Sequence, residues 1–256
     1  MVIPMREAGD SLAIRAYKIT KTIKKRRILN GISLNVPKGS IYVLAGPNGA
    51  GKTTTIRIIM GLVSYDAGSI EVLGVHPQSP QWEKIKTRIG YLPEDASPYE
   101  RLTGLENLLF TALLYANGDK DKAWRYVETA IEISGLSRED LSKMVSSYSK
   151  GMKRRLLIGQ VLMHRPELVV MDEPTSGLDV FTSYKVKKLI KELSRQGTTF
   201  LVTTHDMKEA EELATRVGFI SDGRLVFEGH PRDALDKYNA ESLEEAFVRA
   251  FNRDYR

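Results

Sequence analysis

The chain has 256 residues, enough for one large domain or two small ones, and its 42% hydrophobic and 27% charged residues are the balance of an ordinary globular protein. Basic residues exceed acidic ones by 38 − 32 = 6, a mild excess that suits a solvated surface and leaves room for an anionic partner such as nucleic acid or a membrane. The absence of cysteine excludes disulfides, iron–sulfur clusters, zinc–thiolate sites and a thiol nucleophile, and the four scattered histidines do not make a multi-histidine metal site.

No run approaches the ~18 apolar residues that a membrane helix needs. Arg6 and Glu7 interrupt the N-terminus, so it lacks the apolar core of a secretory signal, and an intracellular protein is expected. Tyr17 and Ile19 alternate on an expected strand, which assigns Tyr17 to core packing. The Lys24–Arg27 run falls in a hairpin loop and reads as a solvated turn rather than a nucleic-acid site. Ile32, Leu34 and Val36 alternate with polar neighbours as on a half-buried strand, and Pro37-Lys38-Gly39 turns the chain. Ile41 to Ala45 is a continuous apolar strand that runs into Gly46-Pro47-Asn48-Gly49-Ala50-Gly51-Lys52-Thr53-Thr54, and a helix follows to Met60. Strands are expected at Ile70–Leu73 and Ile89–Leu92. Thr103 and Glu106 form a capping box that starts a helix closed at Asn117-Gly118, and Gly135 closes the next, Ala123 to Ser134. Alternation of strand and helix returns with strands at Leu168–Met171, Thr199–Thr203, Val217–Ile220 and Leu225–Phe227, and with helices at Phe181–Ser194 and Lys208–Ala214. The tail from Pro231 reads as helical. His164, at a helix end before Pro166, reads as structural. This order argues for a layered, mainly parallel α/β sheet.

Gly46-x-x-x-x-Gly51-Lys52-Thr53 carries the first chemistry. Its glycines let successive backbone N–H groups turn inward as an anion nest, and the helix after Gly51 adds its positive end. Lys52 reaches the β- and γ-phosphates of a nucleotide, and the Thr53 hydroxyl can ligate Mg²⁺. Leu168-Val169-Val170-Met171-Asp172-Glu173 is an apolar strand ending in two acids, at the sheet edge where open α/β folds bind ligands. Asp172 then holds Mg²⁺ through water, and Glu173 poises a water against the γ-phosphate.

Asp172-Glu173-Pro174-Thr175-Ser176-Gly177-Leu178-Asp179 resembles the Walker B and D-loop segment of ABC ATPases, the nucleotide-binding subunits of ABC transporters. Tyr148-Ser149-Lys150-Gly151-Met152-Lys153-Arg154 resembles their signature motif, and Thr204-His205-Asp206 their switch-histidine loop. With the phosphate loop, these occur in the family's order and spacing from about Ile14 to Gly229. The resemblance implies ATP and Mg²⁺ as ligands. It implies catalytic roles for Glu173 and for His205, the γ-phosphate sensor, and nucleotide contacts from the loop residues, Ser149, Gly151 and Asp179. It also implies a head-to-tail dimer, a homodimer or a pairing with a similar ATPase subunit, in which each signature faces the partner's γ-phosphate.

Departures are visible. Tyr148 and Lys150 replace the usual leucine and first glycine of the signature, while Ser149 and Gly151 keep the trans contact. The Q-loop glutamine, which links Mg²⁺ to the helical insertion, falls at Glu94, which accepts but cannot donate and can still support a metal-bound water. With Tyr99 to Leu108 after it, this resembles the drug, lipid or polysaccharide efflux branch. Ile23 stands where many relatives stack an aromatic on adenine.

The expected fold is α/β, a P-loop NTPase core with a mainly parallel sheet, an N-terminal antiparallel β portion and an α-helical insertion. Its expected parts are an ATP-binding core from residues 1–94 and 164–230, a helical signature subdomain from 95–163, and a C-terminal tail from 231–256. The expected function is ATP hydrolysis that energises export by a separate transmembrane permease subunit, at the cytoplasmic, inner face of the cell membrane and with no nucleic-acid partner. A soluble ABC ATPase of cluster assembly or of nucleic-acid- or ribosome-linked work, or an importer ATPase, is the alternative.

Overall fold

Two long antiparallel strands, β1 (Leu12–Ile23) and β2 (Arg26–Pro37), open the computed structural model, which describes residues 12–254; Arg6 and Glu7 lie outside them. Lys24 and Lys25 turn the hairpin with φ of 47° and 66°. Positive φ at both central residues matches the twist of a type I′ turn.

The alternation expected around Tyr17 breaks. Ala16 pairs with Leu34 and Ile19 with Ile32, so Tyr17 and Lys18 together face Ser33, and the Lys18 backbone N–H donates to Ser33 Oγ at 2.9 Å. Lys18 has φ 47°. The extra residue of this bulge rotates the intervening side chain, so Ala16 and Ile19 are buried while Tyr17 is 55% exposed. Tyr17 is therefore a surface aromatic and not part of the core.

After β3 (Ile41–Ala45) come α1 (Lys52–Ile59), β4 (Ala67–Val72), α2 (Trp82–Ile85) and β5 (Ile89–Leu92). A helical stretch follows: α3 (Gly104–Tyr115), α4 (Lys120–Ser134), α5 (Arg138–Ser142) and α6 (Lys150–Leu162). The remainder is β6 (Leu168–Asp172), α7 (Val180–Arg195), β7 (Thr199–Thr204), α8 (Met207–Leu213), β8 (Arg216–Ser221), β9 (Arg224–Gly229), α9 (Pro231–Tyr238) and α10 (Leu243–Asp254). β4 pairs back onto β1, giving the antiparallel order β2-β1-β4. The larger sheet has the order β5-β6-β7-β3-β8-β9, parallel throughout except for β9 on β8.

Each face of the large sheet has its own core, which explains the unbroken apolar runs. Val43, Val169, Met171 and Val202 pack with Val186 and Ile190 of α7, Ala210 and Leu213 of α8 and Leu243 of α10. Their neighbours Tyr42, Leu44, Val170 and Leu201 face the other way, against Ile56 and Ile59 of α1 and Leu34 of β2. Burial of each such leucine or isoleucine contributes about 1.5–3 kcal/mol.

A third core, with Leu108 and Ala112 of α3, Val127 and Ala130 of α4 and Leu156 of α6, lies within the helical stretch. The Thr103–Glu106 capping box is formed, with the Thr103 N–H donating to Glu106 Oε2 at 2.7 Å and the Glu106 N–H donating to Thr103 Oγ1 at 3.2 Å. Tyr148 is buried and donates its hydroxyl to the Asp140 carbonyl at 2.7 Å. A Cβ at residue 104 would overlap that hydroxyl, so the tyrosine and Gly104 fit as a pair. Helix α6 joins the parts: Leu156 belongs to the third core, while Leu157, Ile158 and Leu162 pack under the large sheet.

Candidate functional site

The carboxyl ends of β3, β6 and β7 are adjacent, because Ala45 pairs with Thr204 and Asp172 with Thr203. The chain after Ala45 therefore leaves the sheet beside Asp172, Glu173 and His205. Gly46 donates its N–H to the Thr204 carbonyl at 3.2 Å, and a Cβ there would overlap the Ile220 carbonyl. Gly49 and Gly51 take φ of 81° and 107°, conformations that a side chain would strain. Pro47, Asn48 and Gly49 are exposed, Ala50, Gly51 and Lys52 buried, and Thr53 and Thr54 half-buried at the start of α1.

Lys52 is 6% exposed and turned back into the loop, where its Nζ donates to the carbonyls of Gly46 (2.7 Å) and Pro47 (3.2 Å) and lies 3.4 Å from Glu173 Oε1. Glu173 Oε2 lies 2.8 Å from His205 Nδ1. One buried carboxylate thus bridges the loop lysine and the histidine after β7. An isolated buried charge would be costly, and Lys52 and Glu173 offset each other. Asp172, 1% exposed, accepts from Thr203 Oγ1, and the same hydroxyl accepts from the Glu173 N–H at 3.2 Å.

Ser149 caps α6, its Oγ accepting from the Met152 N–H at 3.2 Å. Among the described residues no hydrogen bond or ion pair links Ser149 or Gly151 to the 46–54 loop; they stand beside the 177–182 segment instead. The Lys150 side chain lies over Gly177, and Thr182 and the Asp179 carboxylate approach Gly151. Asp179 caps α7, with Thr182 donating from N–H (2.9 Å) and hydroxyl (2.7 Å), which holds its carboxyl below the usual range. Glu94 is exposed two residues beyond β5, and Ile23 is 41% exposed at the end of β1.

The site holds two buried charged groups that the motif pattern did not single out. Glu209 of α8, 5% exposed, accepts from Thr175 Oγ1 (2.5 Å) and Thr204 Oγ1 (2.6 Å), and burial pushes its carboxyl up. Arg154 of α6, 8% exposed, donates to the carbonyls of Glu173, Pro174 and Asp172. In sequence Arg154 is the last residue of the segment that resembles the signature motif, with no role of its own. Its spacing to Leu157 and Ile158 was the available signal, since i, i+3 and i+4 share a helix face.

The loop fits a triphosphate: backbone donors, two left-handed glycines and a lysine at a helix start form an anion cradle. The oxygen donors Thr53 and Asp172 suit Mg²⁺, which takes one or two protein ligands and completes its shell with phosphate and water. Among the described residues no cluster of three acids or histidines could hold a metal by itself.

Strand, phosphate cradle, helix and an acidic strand end define a P-loop nucleoside-triphosphatase. Residues 29–176 match the ABC transporter family. The linearmycin resistance ATP-binding protein LnrL of Bacillus subtilis (strain 168) is 36% identical over 242 residues, 94% of this chain and 77% of that one. The Nod factor export ATP-binding protein I of Rhizobium etli is 36% identical over 225 residues, 88% of this chain and 70% of that one. A solved ATP-binding cassette, a dimer in a post-hydrolysis state with ADP and Pi, superposes with a TM-score of 0.76 at 25% identity, over 85% of this chain and 98% of that one. The chain belongs to the ABC transporter family, as an ATP-binding subunit and an ATPase.

Proposed function

We propose that this chain hydrolyses Mg²⁺-ATP as one half of a nucleotide-sandwich dimer and energises export through a separate transmembrane permease. The contact of Glu173 with both Lys52 and His205 at the sheet edge is the observation that carries the reading. Lys52 and the backbone of Gly46–Thr54 take the phosphates; Thr53 and Asp172, with support from Glu94, would hold Mg²⁺, which would neutralise charge on those phosphates. Glu173 accepts the proton of the attacking water, and His205 holds that carboxylate and reaches the γ-phosphate. Lys52 then moves from the loop carbonyls to the phosphates, exchanging neutral acceptors for charged ones.

Ser149, Gly151 and Asp179 serve the partner subunit's nucleotide, which accords with their separation from the loop of their own chain. Residues 1–94 and 164–230 form the ATP-binding core, residues 95–163 are the signature subdomain that docks on the permease, and 231–256 are a C-terminal helical tail whose Leu243 packs into that core. Among the described residues no helix is long and apolar enough to cross a membrane, so a partner carries the substrate. The names of the relatives, resistance and export, favour outward transport from the cytoplasmic face.

Glu173→Gln tests the chemistry. Turnover should fall by about 10²–10⁴-fold, as for a lost general base, while ATP binding persists and a closed dimer accumulates. Near-normal turnover would remove Glu173 from the role.

A further inference from the structure

Glu173 has φ 49°, a left-handed conformation that strains a non-glycine residue and persists only where its surroundings impose it. The restraint on its N-terminal side comes from strand β7: its N–H donates to the Thr203 carbonyl and to Thr203 Oγ1, both at 3.2 Å. The restraint on its C-terminal side comes from α6. Arg154 Nη2 donates to the Glu173 carbonyl at 2.6 Å and to the Asp172 carbonyl at 3.3 Å, and Nε donates to the Pro174 carbonyl at 2.8 Å. Three consecutive carbonyls thus meet one planar donor, a geometry that a lysine cannot reproduce. Burial opposes the charge on Arg154, while Asp172, Glu94, Glu209 and Glu173 favour it. Helix α6 is also the helix that Ser149 caps, five residues before Arg154.

We propose that Arg154 is a positioning residue that imposes the left-handed turn at Glu173 and ties it to α6, so that a shift of the signature helix moves the carboxylate of its own chain. This rests on the sandwich-dimer reading above. Engagement of Ser149 by the partner's nucleotide is then felt at the Glu173 that serves the other nucleotide. Arg154 acts through the backbone of Glu173.

The test compares the full-length wild type with Arg154→Met and Arg154→Lys for kcat, KM for ATP and the Hill coefficient. It adds ATP-driven dimerisation of each variant combined with Glu173→Gln. A base displaced by about 1 Å can lose about 10²-fold in rate, so kcat should fall by about 10- to 100-fold in Arg154→Met and about fivefold or more in Arg154→Lys. KM should stay within about threefold, the Hill coefficient should drop toward 1, and ATP should still close the dimer. If Arg154→Met does not fold, Arg154→Lys carries the test. A kcat within about twofold of wild type in the folded variants overturns the inference, and so does a loss matched by failure to bind ATP or to dimerise, which marks a structural role. If the wild type itself neither hydrolyses ATP nor dimerises with it, the sandwich-dimer reading fails instead.

Discussion

The carboxyl end of the large sheet and the signature end of α6 are built from equally distinctive motifs, yet the first has its charged groups paired with one another and the second makes no hydrogen bond or ion pair to the phosphate loop among the described residues. At the sheet edge, Lys52, Glu173 and His205 satisfy one another at 2.8–3.4 Å, and the acid and the lysine are buried. At the signature, Ser149 and Lys150 are exposed, and their neighbours are Gly177, Asp179 and Thr182 rather than the phosphate loop. A charged group buried without a partner is costly, so the Lys52–Glu173 pair is assembled by the fold itself. A helix start with a serine cap is satisfied by water and can await a second subunit.

The largest effect is expected from mixing variants of the two regions. Ser149→Arg and Lys52→Ala should each lose nearly all ATPase activity as homodimers. A 1:1 mixture should recover about a quarter of the wild-type rate, because half the dimers contain one intact composite site of two. No recovery on mixing would place both motifs in one chain's site.

His164 lies at the far end of α6 from the signature, stacked on Tyr115 of α3 at 3.9 Å, and burial lowers its pKa to about 4. The depressed value makes the folded state bind fewer protons than the unfolded state below the ordinary pKa of 6.5. Above that pH His164 is neutral in both states and has no effect. As the pH falls from 6.5 toward 4 the unfolded chain is favoured, by about 2 kcal/mol at pH 5 and about 3 kcal/mol at pH 4. Urea unfolding at pH 7 and pH 5 should show His164→Gln losing less stability on acidification than the wild type.

Ile23 sharpens the comparison at the base end of the nucleotide, where phosphate contacts cannot discriminate. Base–aromatic stacking is worth about 1–3 kcal/mol, so Ile23→Tyr should tighten ATP and GTP alike by about tenfold, and the wild type should hydrolyse GTP within about tenfold of ATP. A strong ATP preference unaffected by Ile23→Tyr and lost in Tyr17→Ala would move the base pocket to the exposed Tyr17. The smallest effect is expected within the helical stretch. Thr103→Ala should cost about 1 kcal/mol in unfolding, the value of a capping side chain, and leave the KM for ATP unchanged.

The sheet edge was legible because its signals are local: an apolar run of strand length, glycines at fixed offsets and acids at a strand end each specify nearby backbone. The capping box at Thr103 was legible for the same reason. Tyr17 was not, because a one-residue bulge turns it out of the period-two pattern while Ile19 stays buried, and the pairing that shows the bulge, with Ser33, lies across the sheet. The part played by Arg154, though it ends the signature-like segment, escaped because its partners are backbone carbonyls just beyond β6, which no side-chain pattern marks.

By itself the sequence determined which segments become strands and helices, where the phosphate cradle forms and which acids end the central strand. Those follow from periodicity, turn chemistry and side-chain type within a few residues. Only the tertiary structure decided that one carboxylate bridges Lys52 and His205, that Arg154 holds the turn at Glu173, and that Ser149 stands apart from the loop of its own chain. These depend on strand order and on how α6 crosses the sheet edge, where groups from 20 to more than 100 residues apart meet because burial forces each polar atom to find a partner.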